Sequence, residues 1–193
     1  MKLTKQDITS AYTKIKRRAE KEFSRRDILS SLKDISLAAH VAYLFNFIFR
    51  DDELEQLISH ISDKVINKRD IEVRGNKSSQ RFVFIDSFGL PNKGLTQQYL
   101  RALILMNVPF LYVINGNADE NNEIFQDVCS FPIGEIFHVA GKNELEKIEK
   151  IYSKIENYQP NAVFFHISPW DVVATTVLYA IPDTIKKINI NLT

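Results

Sequence analysis

The sequence predicts an α/β protein: a parallel sheet of about five strands with helices on both faces, preceded by a helical N-terminal segment. Three observations lead there. From Thr4 to about Lys68 apolar residues recur every three or four positions, and no Gly or Pro occurs before Gly75. Beyond Gly75, short runs rich in Val, Ile and Phe return about every 25 residues. Helical patterns fill several of the gaps between those runs, as repeated strand-crossover-strand units require.

In chain order, helices are expected over residues 5–22, 26–49 and 52–67. Ser24 and Asp27 suit a capping box for the second helix, and Asp51 and Asp52 stand where acidic groups favour the start of the third. The phrase "VRGNKSSQ" (73–80) clusters Gly, Asn and Ser and reads as a joint, which divides the chain into a helical segment, 1–72, and a sheet domain, 81–193. Strands are expected at "RFVFID" (81–86), "PFLYVIN" (109–115), "EIFHVA" (135–140), "NAVFFHI" (161–167) and "KKININ" (186–191). Their unbroken apolar character implies burial on both faces, hence a Rossmann-like sheet covered by helices on both sides. Asn143 and Glu146 suit a capping box for the helix between the third and fourth strands. Ser168, Pro169 and Asp171 suit the start of the next helix, with Pro at its first position.

Composition narrows the function classes. Twenty-five basic residues against twenty-four acidic ones give a net charge of +1, so no whole-chain field attracts nucleic acid, and none is expected as a partner. Cys129 is the only cysteine, which excludes an internal disulfide, fits a reducing compartment, and reads as a small buried residue. The start "MKLTKQDITS" lacks the apolar core of a signal peptide. The longest apolar stretch, Ile35–Phe49, contains His40 and Asn46, falls short of the ~20 residues of a membrane-spanning helix, and reads as a central buried helix. The run "KIKRRAEK" from Lys14 reads as a solvated helix face. A cytoplasmic location is expected, with peripheral association at the inner face of the membrane as an option.

The loop after the first strand reads Gly89-Leu-Pro-Asn-Lys-Gly94-Leu95-Thr96, close to the phosphate-loop pattern G-x-x-x-x-G-K-S/T. Leu95 stands where that loop needs a lysine to reach the terminal phosphates, so an ATP or GTP site of that type is not expected. The dinucleotide fingerprint G-x-G-x-x-G is absent, and Asp86 lacks the acidic companions and later lysine of a phosphoacceptor site. What remains is a glycine loop at the carboxyl end of a strand, where open α/β sheets bind ligands. A plain strand-to-helix turn accounts for the same glycines.

"FIDSFGLPNKGLTQQYLRALILMNVPFLYVIN", together with "QPNAVFFHISPWDVVATTVLYAIPDTIKKININLT", resembles the amino-terminal, acceptor-side domain of a bacterial glycosyltransferase of the GT-B architecture. The resemblance covers residues 81–193. It implies a glycan or lipid-linked acceptor at this domain, and a nucleotide sugar as co-substrate, bound mainly by a second Rossmann-like domain. Without that second domain the chain is expected to be an inactive, truncated half of the enzyme. The resemblance implies no metal and no tightly bound cofactor, because such enzymes generally stabilise the leaving diphosphate with dipoles and cationic side chains. The helical segment would be an addition to the family pattern.

On that reading His166, at the end of the fourth strand, is the candidate general base for an acceptor hydroxyl, since imidazole titrates near the pH where such a base works. A packed, hydrogen-bonded histidine is the plain alternative. His138 is a weaker candidate of the same kind. Asp86 would bind an acceptor hydroxyl or close an Asx turn over the glycine loop. Gly89 and Gly94 would shape the acceptor and phosphate side of the cleft, and Asn115 with Gly116 face the same rim. Trp170 would stack on a sugar ring or anchor in the core, and Asp171 reads first as a helix cap. Two other classes compete: a non-enzymatic Rossmann-like module that binds a ligand or partner, with the helical segment forming a homodimer, and a different α/β enzyme using His166 and Asp86.

Overall fold

The computed structural model describes residues 4–67, 80–88, 94–116 and 123–190. Three helices lead: α1 (Lys5–Ser24), α2 (Ile28–Phe45) and α3 (Asp52–Val65). They are followed by β1 (Phe82–Asp86), α4 (Leu95–Leu105), β2 (Phe110–Ile114), α5 (Glu123–Ser130) and β3 (Gly134–His138). The last elements are α6 (Glu144–Tyr158), β4 (Ala162–His166), α7 (Val172–Ala180) and β5 (Lys186–Asn189). The five strands form one all-parallel sheet in the order β3-β2-β1-β4-β5. The predicted architecture is therefore present. Joint residues 73–79, like Gly89, lie outside the described residues.

Alternation along the strands sorts the core into two layers. Val83, Ile85, Leu111, Val113, Val163 and Phe165 pack with α6, α7 and the helical segment on one face. Phe84, Phe110, Tyr112 and Ile114 pack against Leu100 and Leu103 of α4 and Ile124 and Val128 of α5 on the other. One apolar cluster runs from Ala19, Leu32 and Ile61 of the helical segment to Ile151 and Val177 beneath the sheet, so segment and sheet share a core. Trp170 reinforces that junction: its ring stacks on His40 at 4.6 Å and meets Tyr43 edge-on at 5.1 Å, while Ser36 donates to its carbonyl at 2.8 Å.

Six local readings need correction. Ser24 is the last residue of α1, and Asp27 alone caps α2 by accepting from the Ser30 amide. The helices turn instead through Arg26, whose φ of 66° is left-handed. α2 stops at Phe45 because Asn46 takes the left-handed conformation and donates its amide to Ala42, a termination that the apolar run Phe47–Phe49 conceals. Nor is α2 a buried central helix, since Leu37, Tyr43, Leu44 and Phe45 are exposed. Pro169 precedes α7 rather than opening it; Asp171 is the N-cap. Cys129 is exposed, because the amphipathic α5 turns Ile124 and Val128 inward and leaves the next position outside. Asn143 caps α6 as expected, though Glu146 closes back on the Lys142 amide, one residue earlier than in a capping box.

Asp51 is the expected acidic start of α3 and does more than cap it. Its carboxylate accepts from the Glu53 and Leu54 amides, from Tyr12 at 2.8 Å and from Lys16 at 2.7 Å. Burial resists its ionisation, but bonds from Lys16, Tyr12 and Leu54 outweigh that and hold the carboxyl below its ordinary value. A carboxyl whose folded pKa is depressed stabilises the fold fully above its unfolded value of about 4, and the contribution fades as pH falls through the lower folded value. Urea unfolding of Asp51→Asn should therefore show a smaller loss of stability between neutral and acid pH than the parent chain. Equal losses would mean that Asp51 is not part of the acid response.

Candidate functional site at the carboxyl edge of the sheet

The chain crosses from one side of the sheet to the other between β3 and β4, so the strand order reverses between β1 and β4. The crevice beyond the carboxyl ends of such strands is the general ligand position in open α/β sheets. Register places Asp86 opposite Ile114 on one side and His166 on the other, with Ile114 opposite His138. Strand ends thus gather residues that are 80 positions apart in sequence.

Asp86 lies on the α4 and α5 face and is 3% exposed. Its Oδ1 accepts from the Phe88 amide at 2.8 Å and faces His166 Nδ1 at 3.2 Å; its Oδ2 accepts from the Tyr112 hydroxyl at 2.8 Å. The Asx-turn reading of Asp86 is thus realised, and the same carboxylate also orients the imidazole. Burial, then the adjacent Asp86 charge and hydrogen bond, push the Tyr112 hydroxyl well above its ordinary value, so it remains a donor. A carboxylate only accepts, which puts the proton of neutral His166 on Nδ1 and the free lone pair on Nε2. Nε2 is buried and has no partner among the described residues. The Phe88 ring lies 5.3 Å from the imidazole.

A second cluster occupies the α7 side. The Asp171 carboxylate accepts from Ser87 Oγ, from Asn115 Nδ2 at 2.9 and 3.0 Å, and from the Ala174 amide at 2.9 Å. Ser87 Oγ in turn accepts from the Ser168 amide at 3.2 Å. Asp171 is therefore the helix cap that its position suggested, and it also ties the ends of β1 and β2 to the start of α7. Asn115 must turn its amide nitrogen to that carboxylate, which leaves Oδ1 buried and without a partner among the described residues. Close approach of the loops here requires glycine at 116, where a Cβ would sit 2.2 Å from the Ser87 carbonyl oxygen.

The remaining sequence candidates are less engaged. Gly94 caps α4 with torsions open to any residue, and a Cβ would meet nothing within 4 Å, so its conformation does not require glycine. Thr96, in the first turn of α4, is buried with an unpartnered hydroxyl. Trp170 has one ring face covered by His40. His138 is exposed and bonds through Nε2 to the Gly116 carbonyl at 3.0 Å. Among the described residues no group of three or more His, Cys, Asp or Glu is placed to hold a metal ion.

Two participants escaped the sequence reading: Tyr112 and Ser87. A tyrosine inside the otherwise aliphatic and phenylalanine-rich strand "FLYVI" needs a partner for its hydroxyl, and that need is the signal that would have found it. Ser87 carries no comparable mark beyond following Asp86. Separately, a cavity of about 320 Å³ lies among α2, α3 and the start of α7, lined by Tyr12, Ile35, Tyr43, Phe49, Pro169 and Val172 among others. It shares no residue with the Asp86–His166 pair. No protein-family model matches the chain, and no curated protein matches it.

Proposed function

We propose that the carboxyl edge of this sheet binds the hydroxyl-bearing acceptor of a glycosyl transfer, with His166 as the base that receives the hydroxyl proton. The observation that carries this reading is that His166 Nε2 and Asn115 Oδ1, each at the carboxyl end of its strand, are buried and have no partner among the described residues. Both are acceptors. A ligand that supplies hydrogen-bond donors, such as a sugar hydroxyl, satisfies them, whereas a fully ionised phosphate brings only further acceptors. Each buried polar atom left unpaired costs about 1–3 kcal/mol, which a suitable donor returns on binding. The resemblance of residues 81–193 to the acceptor side of GT-B glycosyltransferases agrees with that chemistry.

In the proposed reaction the acceptor oxygen attacks the anomeric carbon of a nucleotide sugar and forms the new glycosidic bond. The bond from that carbon to the diphosphate oxygen breaks, and the nucleoside diphosphate leaves with the electron pair. The hydroxyl proton passes to His166 Nε2, while Asp86 holds Nδ1–H and stabilises the imidazolium formed. The donor is held by a second domain outside residues 1–193. Nε2 is buried, so an acceptor reaches it only when the edge opens. That closure also favours the second reading, a non-enzymatic module whose polar edge is a sealed structural joint.

Resonances of the His166 ring and the Asn115 amide distinguish the two. Neutral oligosaccharides titrated into the 193-residue chain should shift both sets, and inorganic pyrophosphate, which has no sugar hydroxyls, should shift neither. Shifts from pyrophosphate alone would put donor chemistry at this edge and sink the acceptor reading. Silence with every saccharide would favour the structural joint.

A further inference from the structure

We infer that the α1–α2 hairpin is a docking surface for an anionic lipid bilayer. α2 is 18 residues long and apolar enough by length and composition to cross a membrane, yet only 28% of it is buried. A core helix of that composition would be mostly covered by protein. Instead Leu37 and Leu44, seven positions apart and so on one face, are 44% and 62% exposed, and Tyr43, Phe45 and Phe49 extend the apolar surface around the helix end. Phe49 is 82% exposed. Single scattered residues would need no explanation, but five large exposed apolar side chains within thirteen positions do.

The charge of the same hairpin selects the occupant. Residues 5–45, the hairpin itself, hold nine Lys and Arg against five Asp and Glu, a net of four positive charges in a chain whose total is +1. Lys14, Arg17, Arg18, Lys21 and Arg25 recur at helical spacing and are all exposed, so they form a basic stripe along α1. Arg18 reaches across to Asp34 of α2 at 2.5 Å, and Asp34 stands three residues before Leu37, which sets the basic stripe beside the apolar one. A cationic face next to exposed leucine and aromatic side chains is the pattern of a helix that lies in the headgroup plane of an anionic membrane. A second copy of the chain is a poor occupant, because a two-fold contact through this face would bring two basic stripes together. The inference is independent of the glycosyl-transfer reading, since it concerns the hairpin and needs no substrate.

The test is partitioning of the 193-residue chain onto phosphatidylcholine vesicles with and without phosphatidylglycerol, together with sedimentation velocity in the absence of lipid. Binding should require phosphatidylglycerol and weaken as salt shortens the Debye length from about 10 Å at 0.1 M to about 3 Å at 1 M. Arg17→Gln with Lys21→Gln should lower the partition coefficient by about fivefold per residue. Leu37→Ser with Leu44→Ser should lower it by more than about tenfold. These four side chains are exposed, so thermal unfolding of both double variants should match the parent and separate lost docking from lost folding. The inference is overturned by equal binding with and without phosphatidylglycerol, by no binding to either vesicle, or by binding that neither double variant alters. A concentration-dependent dimer that Leu37→Ser with Leu44→Ser dissolves would overturn it too, by assigning the face to a second copy.

Discussion

Replacing Asp86 with alanine should destabilise the chain by about 3–5 kcal/mol, the largest loss expected from any single truncation at the carboxyl edge. The reason is the number of donors that one buried carboxylate satisfies. Tyr112 Oη, the Phe88 amide and His166 Nδ1 all point at it, and the residue is 3% exposed, so water cannot easily take its place. A domain of this size loses about 2–4 °C of Tm per kcal/mol, so the melting temperature should fall on the order of 10 °C. Tyr112→Phe is the control: it removes a single donor and should cost about 1 kcal/mol. If Asp86→Ala costs no more than Tyr112→Phe, the carboxylate is not the hub of the cluster and the orientation it imposes on His166 is weaker than the geometry suggests. Asp86→Asn should fall between the two, since it keeps one acceptor oxygen but aims two N–H donors at groups that already donate.

This hub illustrates which parts of the molecule a sequence displays. The central strands β1, β2 and β4 were visible as runs of Val, Ile and Phe because a strand buried on both faces must be apolar throughout. The edge strands β3 and β5 instead carry Glu135, Lys186 and Lys187 and are only partly buried, against the expectation of burial on both faces for every strand. Asp86, Asn115 and His166 were visible for a related reason, since a polar residue ending an apolar run sits at the sheet's edge, and Asp171 was visible as the cap of the helix that follows. Their partners were not visible. That Asp86 meets His166 follows from the β1–β4 register, a long-range pairing across 80 positions that no local pattern encodes. The end of α2 was hidden because its signal is a backbone torsion at Asn46, while the hydrophobicity continues through Phe49. The same continuation made α2 read as a core helix. Hydrophobicity reports what a helix would prefer to bury, and in α2 much of that surface is left open by the fold itself.

If the proposed acceptor reading holds, then in a polypeptide that also carries a donor-binding domain His166→Asn should lower kcat for glycosyl transfer by about 10²–10⁴-fold, with little change in KM for the acceptor. Asparagine is the informative replacement because its side-chain amide lies where Nδ1 lies in histidine. It can still donate to Asp86 Oδ1, so the buried carboxylate keeps its partner and the fold is spared, while Nε2 and its lone pair are removed. Glutamine tests the complementary half, since its longer side chain places a polar group near the Nε2 position but offers no base there. A catalytic His166 predicts that both variants bind acceptor and neither transfers it. A histidine that only fills the strand end predicts that Asn, which retains the bond to Asp86, turns over like the parent. The two outcomes differ by orders of magnitude, and only the first leaves His166 as a residue that touches the reacting atoms. Comparison with Asp86→Asn then separates roles, because a residue that acts through the imidazole should lower kcat less than loss of the imidazole itself.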